Sequence, residues 1–420
     1  MAASIHLARA GFTVVCIDPD PDASAVIGES LDWSAPDLLA EIGLPSDHLL
    51  ANQIATWKKH VILRVFDGST RDYIPGEWLG RSPWNVELRT LHVDRAALRE
   101  ELRRIVATHS IGILRDRVTS METMGDRILA LHTAAGERIV ARWFIDASGL
   151  AAALFPRHFQ SPARNYGRPK VAIWNYFTVP NPIEGTTIHS GCPAGHYMEW
   201  VWEIPINPTT IGVGYVAPAE LIKQRRQRGQ SVAGIFAEEV SRIPRLAALL
   251  PTAHLPSPRV TSYRCRLHTR ITGPNWVAVG ESACMVDPMT SNGVTAALRH
   301  AREAAHLIMR SRNGLSLPLL GAILYRRRAL DVARFFNVGI EKIAYDWPIR
   351  DRVGPLAAGD AYTIPAWLFN LIYTRLNPRG VFKTALFCSV LAAFCWTASA
   401  AHWACRLFSR KTTCAVGASA

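Results

Sequence analysis

The sequence predicts an α/β protein in which a Rossmann-like nucleotide-binding domain is interrupted by an antiparallel-sheet substrate domain and followed by a helical C-terminal region. Three observations carry that expectation. Residues 2–22 read as helix, glycine, strand and acidic cluster, the second half of a dinucleotide-binding βαβ unit. Residues 276–308 repeat strand, tight turn and helix, whereas residues 160–220 are rich in Pro, Gly and aromatic residues and run or alternate apolar as strands do. The expected boundaries are 1–160 and 261–312 for the nucleotide-binding part, 161–260 for the substrate domain and 313–420 for the helical region.

Composition agrees with a large buried core. Of 420 residues, 49% are hydrophobic and 19% charged, which excludes a disordered or fibrous chain. Eight cysteines form no CxxC pair and no Cys/His spacing that would hold a metal, so no metal site is expected. Cys16, Cys265 and Cys284 sit in apolar contexts and read as packing residues of a reduced, cytoplasmic protein. The net charge of +13 is uneven: residues 299–420 hold 17 basic and 6 acidic side chains, a surplus of +11, which leaves +2 for residues 1–298.

Taken in order, residues 2–10 form the end of a helix that stops at Gly11, and the apolar run 12–17 forms a strand. Asp18, with Asp20 and Asp22 behind it, stands where a carboxylate accepts both hydroxyls of an adenosine ribose. The strand and G-x-G-x-x-G loop expected ahead of this helix are missing, an apparent truncation at the N-terminus that predicts weak binding of a dinucleotide by the chain as written. Residues 91–106 (LHVDRAALREELRRIV) have helical apolar spacing with Asp94 as cap. Short strands follow over 111–145, with turns at Gly125 and Gly136, and end at Asp146-Ala-Ser-Gly149, a small-residue turn suited to close approach of a nucleotide. Segments 170–179, 196–206 and 210–216 read as strands, and 218–248 as helix.

The stretch GESACMVDPMTSNG (280–293) joins a strand to a helix. Its Asn292-Gly293 turn opens on a helix N-terminus, whose free N–H groups suit an anion or a flat ring. In WVWEIP (200–205), Trp200 and Trp202 share one face of a strand, either as a core strand or as a rigid apolar wall. In WKKHV (57–61) the adjacent Lys58 and Lys59 read either as a solvated face or as a lysine set inward, with the two pointing opposite ways.

The combined order HLARAGF, VVCID, GES, HVDRAAL, FIDASG and VGESACMVDPMTSNGVTAALRHA resembles FAD-dependent oxidoreductases of the aromatic-hydroxylase type and, within them, the flavin-dependent, tryptophan-type halogenases. The resemblance covers roughly residues 2–310. It implies that Asp18 meets the adenosine ribose, that Arg95, Asp146 and Gly149 flank FAD, and that Gly280, Glu281, Asp287, Asn292 and Gly293 meet its ribityl chain and ring. Glu281 departs from the family's aspartate by one methylene. It also implies that Trp200, Trp202, Ile204 and Pro205 form a wall between flavin and substrate, that Asn292 and Gly293 lie by the halide, and that Lys58 is the catalytic lysine, with Lys59 the fallback. The reaction so implied uses FADH2 from a separate flavin reductase, O2, and chloride or bromide as co-substrate, on a small or carrier-bound electron-rich aromatic. Thr290 stands where the family's tryptophan enzymes often place glutamate, which leaves phenols and pyrroles open as substrates. Two alternatives remain: a monooxygenase or geranylgeranyl-reductase-like oxidoreductase, and an inactive truncated flavoprotein.

Residues 384–405 are 22 consecutive uncharged residues, 17 of them apolar, between Lys383 and Arg406. That length suits a membrane segment on the inner face, spanning or interfacial, with nearby arginines meeting anionic lipid, or else a buried helix over the substrate pocket. The basic residues are not interleaved with a nucleic-acid-binding motif, so no nucleic-acid partner is expected.

Overall fold

The computed structural model describes residues 1–19, 28–59, 61–65, 89–180, 182, 184–191, 197–250, 257–346 and 381–416. Asp20, Asp22 and the whole of residues 347–380, with Arg350, Arg352, Arg375 and Arg379, therefore lie outside the described residues. The nucleotide-type part begins with α1 (Ala2–Arg9), β1 (Val15–Ile17), α2 (Ala35–Glu41), β2 (Ala55–Lys58), β3 (Val61–Val65), β4 (Thr90–Val93), α3 (Arg95–Thr108) and β5 (Gly112–Leu114). β1 pairs with β5 in parallel, with Cys16 opposite Ile113. A meander follows: β6 (Val118–Met124), β7 (Arg127–Thr133) and β8 (Arg138–Val140), then β9 (Phe144–Asp146).

The helical apolar spacing noted from Leu91 becomes helix at Arg95, just after the Asp94 cap, and Leu91, His92 and Val93 belong to β4 through antiparallel pairing with β2. Asp94 is the cap as expected, its carboxylate accepting from the Ala96 and Ala97 N–H groups at 2.9 and 3.1 Å.

The large sheet is built from β10 (Ala163–Thr178), β11 (Thr186–Gly191), β12 (Glu199–Asn207), β13 (Thr210–Pro218), β14 (Arg259–His268) and β16 (Cys284–Met285), in the order β16-β14-β10-β13-β12-β11-β3. Its neighbours are antiparallel except β11 and β3. One face buries Ile173, Phe177, Val201, Val213 and Tyr215 under α4 (Ala219–Gln227) and α5 (Val232–Ser241). The other face carries Trp174, Trp200, Trp202 and Ile204 into the main core. At roughly 1.5–3 kcal/mol for each large side chain removed from water, that core is the chief source of stability.

Facing that core, β15 (Trp276–Ala278) pairs in parallel with β9, and α6 (Gly293–Met309) follows the 280–293 turn. The C-terminal region supplies α7 (Leu319–Gly339), a π-helical segment (Ile340–Ala344) and α8 (Val381–Val416). Phe387, Cys388, Leu391 and Cys395 on α8 join the main core beside α7, while Phe382, Leu386, Trp396 and Trp403 stay exposed. The apolar stretch read at 384–405 is thus one helix with a packed face and an apolar outer face, and Val381–Ala404 is long and apolar enough to cross a membrane by length and composition.

Candidate functional site

The site is assembled where the end of β2, residues 28–34, and the 280–293 turn converge. Lys58, the last residue of β2, is buried, and its Nζ donates to Ser30 Oγ (2.9 Å), the Leu31 carbonyl (3.1 Å) and Ser291 Oγ (3.3 Å). Burial depresses the amine from its ordinary 10.5 to about 8, against the attraction of Asp32. Lys59 is exposed and pairs with Glu184 at 2.7 Å, so the two adjacent lysines do face opposite environments.

The turn opposite Lys58 is held under local strain. Ser291, a non-glycine residue, occupies the left-handed region at φ 54°, and its hydroxyl donates to Ser30 Oγ at 3.0 Å. Buried Asn292 donates its side-chain amide to Asp32 Oδ2, and Asp32 Oδ1 in turn accepts from Ser34 N–H (2.9 Å) and Oγ (2.8 Å). Asp32 and Ser291 escaped the sequence reading, because their partners lie about 260 positions away.

The residues present fit a flavin nucleotide. Gly293 opens the 17-residue helix α6, and a Cβ there would meet only Glu281 Oε1 at 3.9 Å. Gly149, at φ +80°, faces open space. Two bare backbone surfaces and a free helix N-terminus form a cradle for a flat, anionic group. Arg95 donates to the Gly28 carbonyl at 3.2 Å and lies between Glu29 and Glu281. Glu281 is open to the cleft yet otherwise enclosed, so burial raises its carboxyl while Arg95 lowers it.

Other expected residues serve the frame. Asp146 accepts from Ser148 N–H (2.9 Å) and from Phe155 N–H (2.8 Å), so its carboxylate shapes the turn that presents Gly149. Asp18 lies just past β1, its N–H bonded to the Leu114 carbonyl at 3.0 Å. Asp287 is fully buried and caps its own turn through Met289 N–H at 3.1 Å. Its other oxygen meets Lys170 at 3.3 Å, and Lys170 also pairs with Glu341 of the π-helical segment. Burial disfavours the Lys170 ammonium, but Asp287 and Glu341 outweigh it and raise the pKa. Cys265, Asp287 and Glu341 lie close enough for a metal, but the ammonium of Lys170 is the cation the two carboxylates already hold. A lysine on the apolar face of a strand, in register with Ala172 and Trp174, was the signal for this cluster.

Trp200 and Trp202 stand with ring centroids 5.6 Å apart, and Trp200 Nε1 donates to Tyr345 OH at 2.8 Å. Ile204 continues their face, and the Pro205 carbonyl accepts from Thr56 Oγ1 at 3.1 Å, docking the tryptophan strand two residues ahead of Lys58. Cys265 and Cys284 are buried, and burial pushes the Cys284 thiol up to about 12, which suits packing rather than nucleophilic work.

His300 fixes the start of the turn. Its Nδ1 accepts from the Gly280 N–H at 3.1 Å, and burial, helped by Arg299, pushes the imidazole down to about 3. The unfolded chain protonates this group near 6.5, so its contribution is complete above pH 6.5 and lost as pH falls toward 3. By pH 5 the loss is about 2 kcal/mol. Thermal melts from pH 7 to pH 5 should fall accordingly, and His300→Asn should flatten that slope; an unchanged slope would remove His300 as its source.

The tryptophan halogenase family model matches residues 80–312, more than half of the chain. The chain belongs to the tryptophan halogenase family. It is similar to tryptophan 2-halogenase of Chondromyces crocatus, 27% identical over 370 residues that cover 82% of this chain and 67% of the relative. It is also similar to the flavin-dependent halogenase gsfI of Penicillium aethiopicum, 24% identical over 332 residues, covering 71% and 60%. The chain thus spans 60 to 67% of these relatives' length. Its fold is that of the flavin-dependent brominase Bmp2, with a TM-score of 0.71 at 18% identity over 94% of this chain and 95% of that one. The family's enzymes are FAD-dependent oxidoreductases that use FADH2 with halide as co-substrate and need a flavin reductase.

Proposed function

We propose that this protein halogenates an electron-rich aromatic molecule, small or carrier-bound, with Lys58 delivering the halogen. The observation that carries the reading is the buried Lys58 amine, depressed to about 8 and bonded to the turn that leads into the Asn292-Gly293 helix start. Reduced FAD, when bound, supplies with oxygen and halide the hypohalous acid that the family uses. Asp18, Arg95, Asp146, Gly149, Gly280, Glu281, Asp287, Asn292 and Gly293 would hold or frame it, and the first-turn N–H groups at Gly293 favour an anion such as halide. Asp32 fixes Asn292, and Ser30 and Ser291 fix the Lys58 amine, so both are positioned before substrate binds. Near pH 8 about half of Lys58 is neutral, the form that accepts halogen or hydrogen-bonds its carrier. Trp200, Trp202, Ile204 and Pro205 exclude water and keep flavin and arene apart. Family membership favours this reading over a monooxygenase or a reductase.

The test is turnover of the full chain with FAD, a flavin reductase and bromide over a panel of phenols, pyrroles and indoles, read by product mass. Bromination is expected. Hydroxylation alone, or turnover with NAD(P)H and no reductase, would overturn the reading.

The exposed Phe382, Leu386, Trp396 and Trp403, next to Lys383 and Arg406, support a second proposal, that α8 lies on an anionic membrane surface. Sedimentation with phosphatidylglycerol vesicles should carry the protein down, and Trp396→Ser/Trp403→Ser should release it; equal recovery with and without vesicles would count against it.

A further inference from the structure

Behind Lys58 runs a chain of buried hydroxyls that ends on an imidazole. Ser30 Oγ lies 3.0 Å from Thr186 Oγ1, which lies 2.8 Å from His92 Nε2, and all three residues are buried. Neither distance by itself says which atom donates. The count of protons settles the first. Ser30 Oγ accepts from Lys58 Nζ at 2.9 Å and from Ser291 Oγ at 3.0 Å, which fills both of its lone pairs. Its single hydrogen is then left for Thr186. Thr186 Oγ1 accepts that bond, and its own hydrogen points to His92 Nε2 in the tautomer whose Nε2 is bare. In that tautomer the four groups form one ordered donor chain from amine to imidazole, and each is held by a strand or a strand bridge: Lys58 in β2, Thr186 in β11, His92 in β4, and Ser30 bridged to His92.

We propose that Ser30, Thr186 and His92 relay a proton away from Lys58, with His92 as the base that readies the amine for halogen. The inference rests on the reading of Lys58 given above. In the step, an N–H bond of the Lys58 ammonium breaks as Ser30 gains that proton. Ser30 passes its own hydrogen to Thr186, Thr186 passes its own to His92 Nε2, and a new N–H bond forms there. No electron moves between groups; the positive charge passes from ammonium to imidazolium, and the hydroxyls reverse direction. The charged side chain that faces Lys58 among the described residues is Asp32, which favours the ammonium, and the Trp33 ring lies 5.7 Å from Nζ. Asp32 is held by Asn292 and Ser34, while the side-chain hydrogen bonds of the amine go to Ser30 and Ser291, and Ser30 continues to Thr186. Ser30, Thr186 and His92 act through Lys58 and are positioning residues in this sense.

Two readouts test the relay. Nitrogen-15 NMR of the histidine-labelled full chain, with His92 assigned by its disappearance in His92→Gln, needs neither flavin nor substrate. The expected result is protonated Nδ1 with bare Nε2 at neutral pH; a protonated Nε2 would reverse the chain and overturn the relay alone. In the bromination assay, Thr186→Val should lower kcat about 100-fold, the scale of general-base catalysis, with KM for bromide unchanged and the acidic limb of the pH profile moved to higher pH. Thr186→Ser keeps the hydroxyl and should restore wild-type turnover and profile, and His92→Gln should reproduce the loss. Full activity in Thr186→Val, or equal loss in Thr186→Val and Thr186→Ser, would overturn the relay. A wild-type protein inert toward every aromatic would instead overturn the reading of Lys58 together with the relay's purpose.

Discussion

Replacing Lys58 with methionine should reduce aromatic bromination by about 1000-fold, close to 4 kcal/mol of transition-state stabilisation, while oxidation of reduced flavin continues. The separation of the two rates is the informative part. Lys58 contacts the turn through Ser291, whereas Asn292 is held by Asp32, so the residues proposed to meet flavin and halide should stay in place. Methionine preserves the length of the stem and fills the same buried space, where alanine would leave a cavity. The unused oxidant should then appear as free hypohalous acid, measured with a soluble halogen acceptor. If the methionine variant still brominates the aromatic, the halogen is carried by another group. If flavin oxidation falls in parallel with bromination, Lys58 belongs to the flavin site and delivers nothing.

That Lys58 could be singled out in the sequence, whereas its partners could not, has a physical cause. An adjacent lysine pair at the end of a strand is a local pattern, and the alternation of a strand already sends the two side chains apart. Ser30, Thr186 and His92 are chemically unremarkable residues whose meaning comes from pairing across 28 to 156 positions. His92 sits beside Leu91, whose spacing reads as helical with 91–106, and only the partner strand β2 shows that it lies in β4. The same limit applies to acids. Asp94 was legible because a cap acts on its own next residues, while Asp146 and Asp287 look alike in sequence and spend their carboxylates on the frame. Lys170 shows the converse, a charge on an apolar strand face that only Asp287 and Glu341 make tolerable.

The packing of Trp202, part of the proposed wall, depends on a residue with no side chain. Gly214 on β13 stands in register with Trp202 on one side and Trp174 on the other, and a Cβ there would lie 2.1 Å from Trp202 Cζ2 and 2.3 Å from Cη2. No flexible end is available to yield. The contacted atoms belong to a buried indole ring that is itself set against Trp200. Gly214→Ala must therefore tilt the ring or part the strands, at a cost of about 1–3 kcal/mol or more for overpacking a tight core. At about 2.1 cal/mol/K of unfolding entropy per residue, each kilocalorie corresponds to roughly 1 °C for a chain of 420 residues, so the melting temperature should fall by about 1–3 °C. Gly212→Ala, two residues away on the same strand, is the matched control, because its Cβ would meet Tyr176 Cε1 at an ordinary 3.4 Å and should cost little. The functional consequence separates the wall from a mere core strand. If Trp202 keeps oxidant and arene apart, the folded fraction of Gly214→Ala should release more free hypohalous acid per aromatic product than wild type at the same flavin turnover. A variant that melts lower but keeps the wild-type ratio would leave Trp202 as core packing, and one that melts with wild type would show that the ring has room the structure denies it.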